Sequence, residues 1–220
     1  MMYVRQRFRD RREAGVELAS QLSHYASDPE VVVLALPRGG VPVAYEIARS
    51  LRAPLDVFEV RKLGVPGHEE LAMGAIGSGG GFYLNDEVIE ALRIGRTELE
   101  ETIARERTEL ERRAKVYRDS RPRPEIRGKT IVLVDDGVAT GASAIAAIRS
   151  LRAAGVGRIV LAIPVGPIET CEILRGLVDE LVCLQIPEHF HAVGYAYAQF
   201  GQVGDEEVRA LLNDAAERIE

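Results

Sequence analysis

Apolar positions along the chain fall into two periods. Short runs dominated by apolar residues occur as "VVVLAL" (Val31–Leu36), continuously apolar, and as "LDVFEV" (Leu55–Val60), "TIVLVD" (Thr130–Asp135), "RIVLAIPV" (Arg158–Val165) and "ELVCLQI" (Glu180–Ile186). Each is the length of a strand. A strand apolar throughout is buried on both faces, as in a parallel sheet covered by helices. Between the runs the spacing changes to three and four. Val16, Leu18, Ala19, Leu22 and Tyr25 predict an amphipathic helix from Arg9 to about Tyr25. Helices are also predicted over Val41–Leu51, Thr97–Arg118, Ala142–Ala154 and Ile168–Leu177. Two more carry an acidic cap: Asp86 to about Ile94, and Asp205–Arg218. Gly155 reads as a helix stop.

Three stretches break the alternation. Leu71–Asn85 alternates loosely around Gly79–Gly81, which predicts a hairpin. Arg61–Glu70 mixes glycine, proline and charge and reads as a loop, and Pro187–Gly204 is irregular and aromatic. The alternation of strand and helix predicts an α/β fold, a mostly parallel sheet flanked by helices. No repeat or linker divides residues 1–220, so one domain is expected.

Composition narrows the class without changing the fold. The chain has 220 residues, 46% apolar and 28% charged, enough to bury a core. A net charge of −6 argues against a nucleic-acid partner. No apolar run is long enough to span a membrane, and "MMYVRQRFRDRREAG" is too polar for a secretory signal, so a cytoplasmic protein is expected. Cys171 and Cys183 sit in apolar surroundings without metal-ligand spacing and read as buried, reduced thiols.

Ligands of open α/β sheets sit beyond the C-terminal ends of the strands. Three segments leave strands there with unusual composition: "PRGG", "RKLGVPGHEE" and "DDGVATGAS". In the last, Gly137, Val138, Ala139, Thr140, Gly141, Ala142 and Ser143 leave the backbone almost bare before a helix begins. Successive N–H groups at a helix N-terminus form an anion site, suited to a phosphate monoester. Asp135 and Asp136 cannot bind phosphate. They suit vicinal hydroxyls, or waters on Mg²⁺. Donors for phosphate beside acceptors for a diol describe a ribose 5-phosphate. The acidic pair has two other readings: a turn with a helix cap, and the Walker B strand of an ATPase. The second fails because "GKT" at Gly128–Thr130 lacks the earlier glycine (Arg123 stands there) and precedes a strand. In "PRGG", Gly39 and Gly40 permit close backbone approach and Arg38 can meet a second phosphate, though two glycines can equally make a tight turn. Arg61 and Lys62, with Gly64 and Gly67 as hinges, suit a basic lid over a leaving anion, or an exposed loop with solvated charges.

Together these segments resemble the type I phosphoribosyltransferases. "IVLVDDGVATGAS" is similar to their PRPP signature, "LALPRGGVPVAYEIA" to their pyrophosphate loop, and "VRKLGVPG" to the flexible loop of adenine phosphoribosyltransferases. "IPEHFHAVGYAY" resembles the hood of hypoxanthine-guanine phosphoribosyltransferases, with Phe190 in the base-stacking place. The resemblance implies a core over about residues 1–185, a hood over about 186–204 and a closing helix over about 205–218. It also implies PRPP as co-substrate, Mg²⁺ held by Asp135 and Asp136 through water, a purine-like base or other small N-heterocyclic acceptor under Ile186, Phe190, Val193 and Tyr195, and a homodimer. Catalysis would fall to Lys62, Asp135 and Asp136, through displacement of pyrophosphate from C1.

Departures from that pattern bear on the acceptor. Ala139 stands where the hypoxanthine-guanine enzymes carry a third Asp, Ala198 where they carry an Asp after "VGY", and "AIPVGPIE" lacks their purine-recognising lysine. Two alternatives share the same site: a regulator that binds PRPP or a nucleotide without turnover, and a hydrolase. Thr97–Arg118 looks like an insertion relative to smaller members.

Overall fold

The computed structural model describes residues 7–78, 81–118 and 123–218. The apolar runs form β1 (Val31–Ala35), β2 (Leu55–Val57), β6 (Thr130–Val134), β7 (Arg158–Val165) and β8 (Glu180–Gln185), a five-stranded parallel sheet in the order β2-β1-β6-β7-β8. Within each run, alternate residues feed opposite faces. Val33, Val132 and Val160 join one core with helices α1 (Arg11–Gln21), α2 (Gly40–Leu51) and α7 (Asp205–Glu217). Leu34, Leu133 and Leu161 join the other with α5 (Ala142–Ala153) and α6 (Ile168–Arg175). This is why no run shows apolar-polar alternation.

The chain leaves β1 towards β2 on one side and later returns to β6 on the other. Ala35 and Val134 are register partners, so the loops after β1 and β6 emerge side by side. A crevice opens at such a reversal of strand order.

Arg61–Glu70 is not a loop. It forms β3 (Val60–Val65) and the start of β4 (His68–Gly77), which with β5 (Phe82–Leu84) make an antiparallel sheet in the order β3-β4-β5. Leu63 and Val65 point inward with period two, a signal diluted by Gly64, where the register shifts, and by the Pro66–Gly67 turn. The hairpin expected around Gly79–Gly81 joins β4 to β5, although Gly79 and Gly80 lie outside the described residues. "LDVFEV" breaks after Val57, because Phe58 N–H still reaches Ala35 in the parallel sheet while Glu59 already pairs with Ser78 in the antiparallel one. α4 (Arg96–Arg118) covers the hairpin. Its Leu99, Ile103 and Leu110 pack with Leu63, Met73 and Ile76.

Both expected acidic caps shift by one residue. Asn85 caps α3 (Asp86–Ala91) by accepting from Val88 N–H at 3.4 Å, and α3 ends before Ile94. Gly204 precedes α7, and the Asp205 carboxylate accepts instead from Tyr117 Oη at 2.9 Å. Cys171 and Cys183 are free thiols with sulfurs 3.8 Å apart; Cys171 is buried and Cys183 partly so, and burial pushes the Cys183 thiol up to about 12.

α1 buries Leu18, Ala19 and Leu22 as expected, but Val16 is exposed and Gly15 instead packs closely on α2. A Cβ at Gly15 would lie 2.6 Å from Val43 O and 2.9 Å from Glu46 Cβ. Alanine normally gains about 1 kcal/mol over glycine inside a helix. Overpacking against a fixed backbone costs about 1–3 kcal/mol. Gly15→Ala is therefore expected to lower stability, read as an earlier urea midpoint at unchanged slope; a later midpoint would contradict this packing.

Candidate active site

The crevice is floored by the β6 loop. β6 delivers Asp135 and Asp136 at its end, both partly buried. Asp135 Oδ1 accepts from Asp136 N–H at 2.9 Å. Burial, then the adjacent Asp136 charge, pushes the Asp135 carboxyl well above the usual carboxylate range. Gly137 (φ 147°) and Gly141 (φ 71°) hold backbone that disfavours side chains. Val138 N–H is anchored to Val165 O at 2.9 Å, and Ala139 O accepts from Thr170 Oγ1 at 2.7 Å. Among the described residues, no protein acceptor takes the N–H groups of Ala139, Thr140 and Gly141. They open α5, whose Ala142 N–H leans on Thr140 Oγ1 at 3.4 Å. Ala139, Thr140, Ala142 and Ser143 are exposed. The loop is thus an anchored run of backbone donors ahead of a helix N-terminus, with Thr170 as a support that no motif signalled.

Across the crevice, Pro37–Gly40 turns from β1 into α2 through a cis Pro37–Arg38 peptide. The approach is too close for side chains. A Cβ on Gly39 would fall 2.0 Å from Asp136 Oδ2, and one on Gly40 would fall 2.7 Å from Val134 O. Arg38 faces Asp205 at 3.6 Å. A cavity of about 420 Å³ lies beside it, lined among others by Arg38, Val60, Arg112, Tyr117 and Ser143.

The third wall comes from the chain's start. Phe8 bridges to Tyr197, with Phe8 N–H donating to Ala196 O and Ala198 N–H to Phe8 O. This places α1 against the acidic pair, and Arg11 Nε donates to Asp136 Oδ2 at 2.7 Å. Arg11 and Phe200 carry no family motif in the sequence, so sequence reasoning missed both.

The remaining expected residues divide. Val193 reaches the β6 loop, where it and Val165 would meet a Cβ on Gly137 at 2.6 and 2.8 Å. Phe190 and Tyr195 line a second cavity of about 760 Å³ with Val165, Gln185 and His191. Ile186 and Tyr195 are exposed, and Tyr195 leans on His191 with centroids 5.5 Å apart. Arg61 is engaged by Glu106 of α4 at 2.5 Å, while Lys62 is exposed on β3. The segment feeds the first cavity through Glu59 and Val60, not through Lys62. Gly64 sits at the register shift and Gly67 (φ 78°) in the open turn.

Among the described residues there is no cluster of three or more His, Cys, Asp or Glu able to cage a metal. Two adjacent carboxylates, one already sharing an oxygen with Arg11, fit Mg²⁺ through water, where the substrate supplies most oxygens.

Comparison with known proteins bears on the family and the fold. A family model described as "Phosphoribosyl transferase domain" matches residues 78–199, more than half of the chain. The chain belongs to the phosphoribosyltransferase family. The crystal structure of TT1426 from Thermus thermophilus is 46% identical, covering 95% of this chain and 99% of that one at a TM-score of 0.82. A Mycobacterium tuberculosis protein named "Putative phosphoribosyl transferase Rv0571c" is 48% identical over 208 residues, which is 94% of this chain and 47% of that protein. The chain thus spans about half the length of the curated relatives it matches. The AQ2163 protein of Aquifex aeolicus shares the fold at a TM-score of 0.50 and 12% identity, over 92% of this chain and 85% of that one. The parallel sheet with its small antiparallel companion is the phosphoribosyltransferase fold. No helix among the described residues is long and apolar enough to cross a membrane.

Proposed function

We propose that this phosphoribosyltransferase-family protein moves the 5-phosphoribosyl group of PRPP to a nitrogen acceptor and releases pyrophosphate. The observation that carries the reading is the facing of two loops. Asp135 and Asp136 open directly into the amides of Ala139, Thr140 and Gly141, under Gly39 and Arg38 of the opposite loop. The amides bind the 5-phosphate, a remote anchor that fixes the ribose ring. The two carboxylates accept from its hydroxyls and favour the positive charge that grows on the ring as the C1–O bond breaks. Arg38 and the backbone of its loop stabilise the departing pyrophosphate. Mg²⁺, when bound to PRPP and held by waters on the acidic pair, supplies further charge neutralisation. Lys62 adds its charge if the β3–β4 hairpin closes over the leaving group. The acceptor sits between the ribose and the hood, against Phe190 and Val193. Assembly as a homodimer belongs to the same proposal.

Ala139 and Ala198 leave the loop and hood without the carboxylates that the hypoxanthine-guanine enzymes carry there, which favours an acceptor other than a 6-oxopurine. The deciding experiment is a screen of nucleobases and smaller N-heterocycles with PRPP and Mg²⁺, read by pyrophosphate release. At least one acceptor is expected to give release that EDTA stops. Tight PRPP binding without release across the panel would establish the regulator instead. Release without any acceptor would establish the hydrolase.

A further inference from the structure

Asp136 is the more constrained of the two carboxylates, and its constraint comes largely from parts of the chain outside the matched family segment. Arg11 Nε donates to Oδ2 at 2.7 Å, and both side chains are largely buried, at 12% and 15% exposure. The guanidinium is itself fixed. Its Nη1 donates to Gly201 O at 2.8 Å, and its face lies 4.0 Å from the Phe200 ring centre. Phe200 stacks on Tyr197 with centroids 5.1 Å apart, and Tyr197 Oη donates to the Asp136 carbonyl at 2.5 Å. Side chain and main chain of Asp136 are therefore held by one connected group, Arg11–Phe200–Tyr197. On the opposite side, Gly39 leaves just enough room for the carboxylate.

A surface ion pair would not warrant this much support. A planar guanidinium that is stacked and doubly bonded loses little freedom when it binds, and it presents its carboxylate partner in one orientation. We propose that Arg11 is a positioning residue: it takes Oδ2 of Asp136 so that Oδ1 faces the ribose hydroxyls of PRPP. The N-terminal helix is then part of the ribose site, although it contributes no group to the ligand. This inference rests on the PRPP reading above.

A double-mutant cycle separates the role from simple support of the fold. Calorimetry would follow Mg²⁺-PRPP binding to the native protein, Arg11→Met, Asp136→Asn and the double variant. Asp136→Asn keeps both phosphate-binding loops, so its affinity falls but stays measurable. Arg11→Met is expected to weaken PRPP about tenfold in the native background, within the range for coupling in one ion-pair network. In the Asp136→Asn background the same change is expected to cost less than about twofold. Arg11→Lys, which keeps the charge but loses the fork and the ring contact, is expected to fall between native and Arg11→Met. Phe200→Leu, which leaves the ion pair in place, gives a milder version of the same non-additivity if Arg11→Met folds poorly. Unchanged or tighter binding in Arg11→Met, or equal losses in both backgrounds, would overturn the positioning role alone. A native protein that does not bind PRPP would overturn that role together with the transferase reading.

Discussion

Asp135→Asn is expected to remove most turnover and, in the same protein, to raise the melting temperature. The carboxyl of Asp135 is pushed up by burial and by the neighbouring Asp136 charge, so the ligand-free fold holds an anion it disfavours. The native state then binds more protons than the unfolded chain at every pH between the ordinary Asp value of about 3.9 and the raised one. Stability falls as pH rises through that window. Asparagine removes the charge and keeps an oxygen for the Asp136 N–H, so the melting-temperature gain should grow from about pH 4 towards neutrality and vanish in acid. Turnover should fall at least about a hundredfold, the scale for losing one preorganised electrostatic group. Asp136→Asn should behave oppositely in stability. It leaves the largely buried Arg11 guanidinium without its anion, and so it should lower the melting temperature while also losing turnover. Equal stability shifts in the two variants, measured by calorimetry without Mg²⁺ or PRPP, would refute the division of roles. Native turnover in either would refute the proposed function.

That asymmetry marks the limit of what the sequence discloses. The parallel strands were legible because each is a short, mostly apolar run, three of them followed by a helix-period segment, and both loops at the reversal of strand order carried composition of their own. Bare backbone and paired acids are local properties. The β3–β4 hairpin was not legible. Gly64 and Pro66 interrupt its period, and it is held from outside by α5 and by α4, whose apolar stripe lies under a dense charge pattern. The support of Asp136 was hidden for a different reason. Arg11 stands 125 residues from its partner and among several other arginines, and the Phe8–Tyr197 pairing and the packing of α1 on α2 bring it to the crevice. Long-range pairing of this kind leaves no spacing to read. Tyr117 and Asp205 show the same in reverse, since an expected helix cap turns out to serve a side chain on another helix.

Gly39→Ala is the second large effect, and it tests the closeness of the two loops. The backbone at Gly39 (φ −60°, ψ −33°) suits alanine, and the position precedes α2, so local propensity predicts little harm. The Cβ, however, would lie 2.0 Å from Asp136 Oδ2 and 2.5 Å from its Cγ. A long, free side chain would swing away from such a contact. Asp136 cannot do so without giving up Arg11, because its side chain is short and its carbonyl is tied to Tyr197. Either the carboxylate rotates out of the site or the Pro37–Gly40 turn shifts, and each displaces a group that meets PRPP. A displacement of about 1 Å can cost on the order of a hundredfold in rate. Turnover is therefore expected to fall by that order, with PRPP affinity reduced and the melting temperature changed by only a few degrees. Gly128→Ala serves as the control. It also replaces a glycine, here at φ 74° in the turn before β6, but its Cβ meets nothing within 4 Å. It should cost about 1–2 kcal/mol of backbone strain and leave PRPP affinity at the native value. If Gly39→Ala bound and turned over PRPP as the native protein does, the two loops would not form one site.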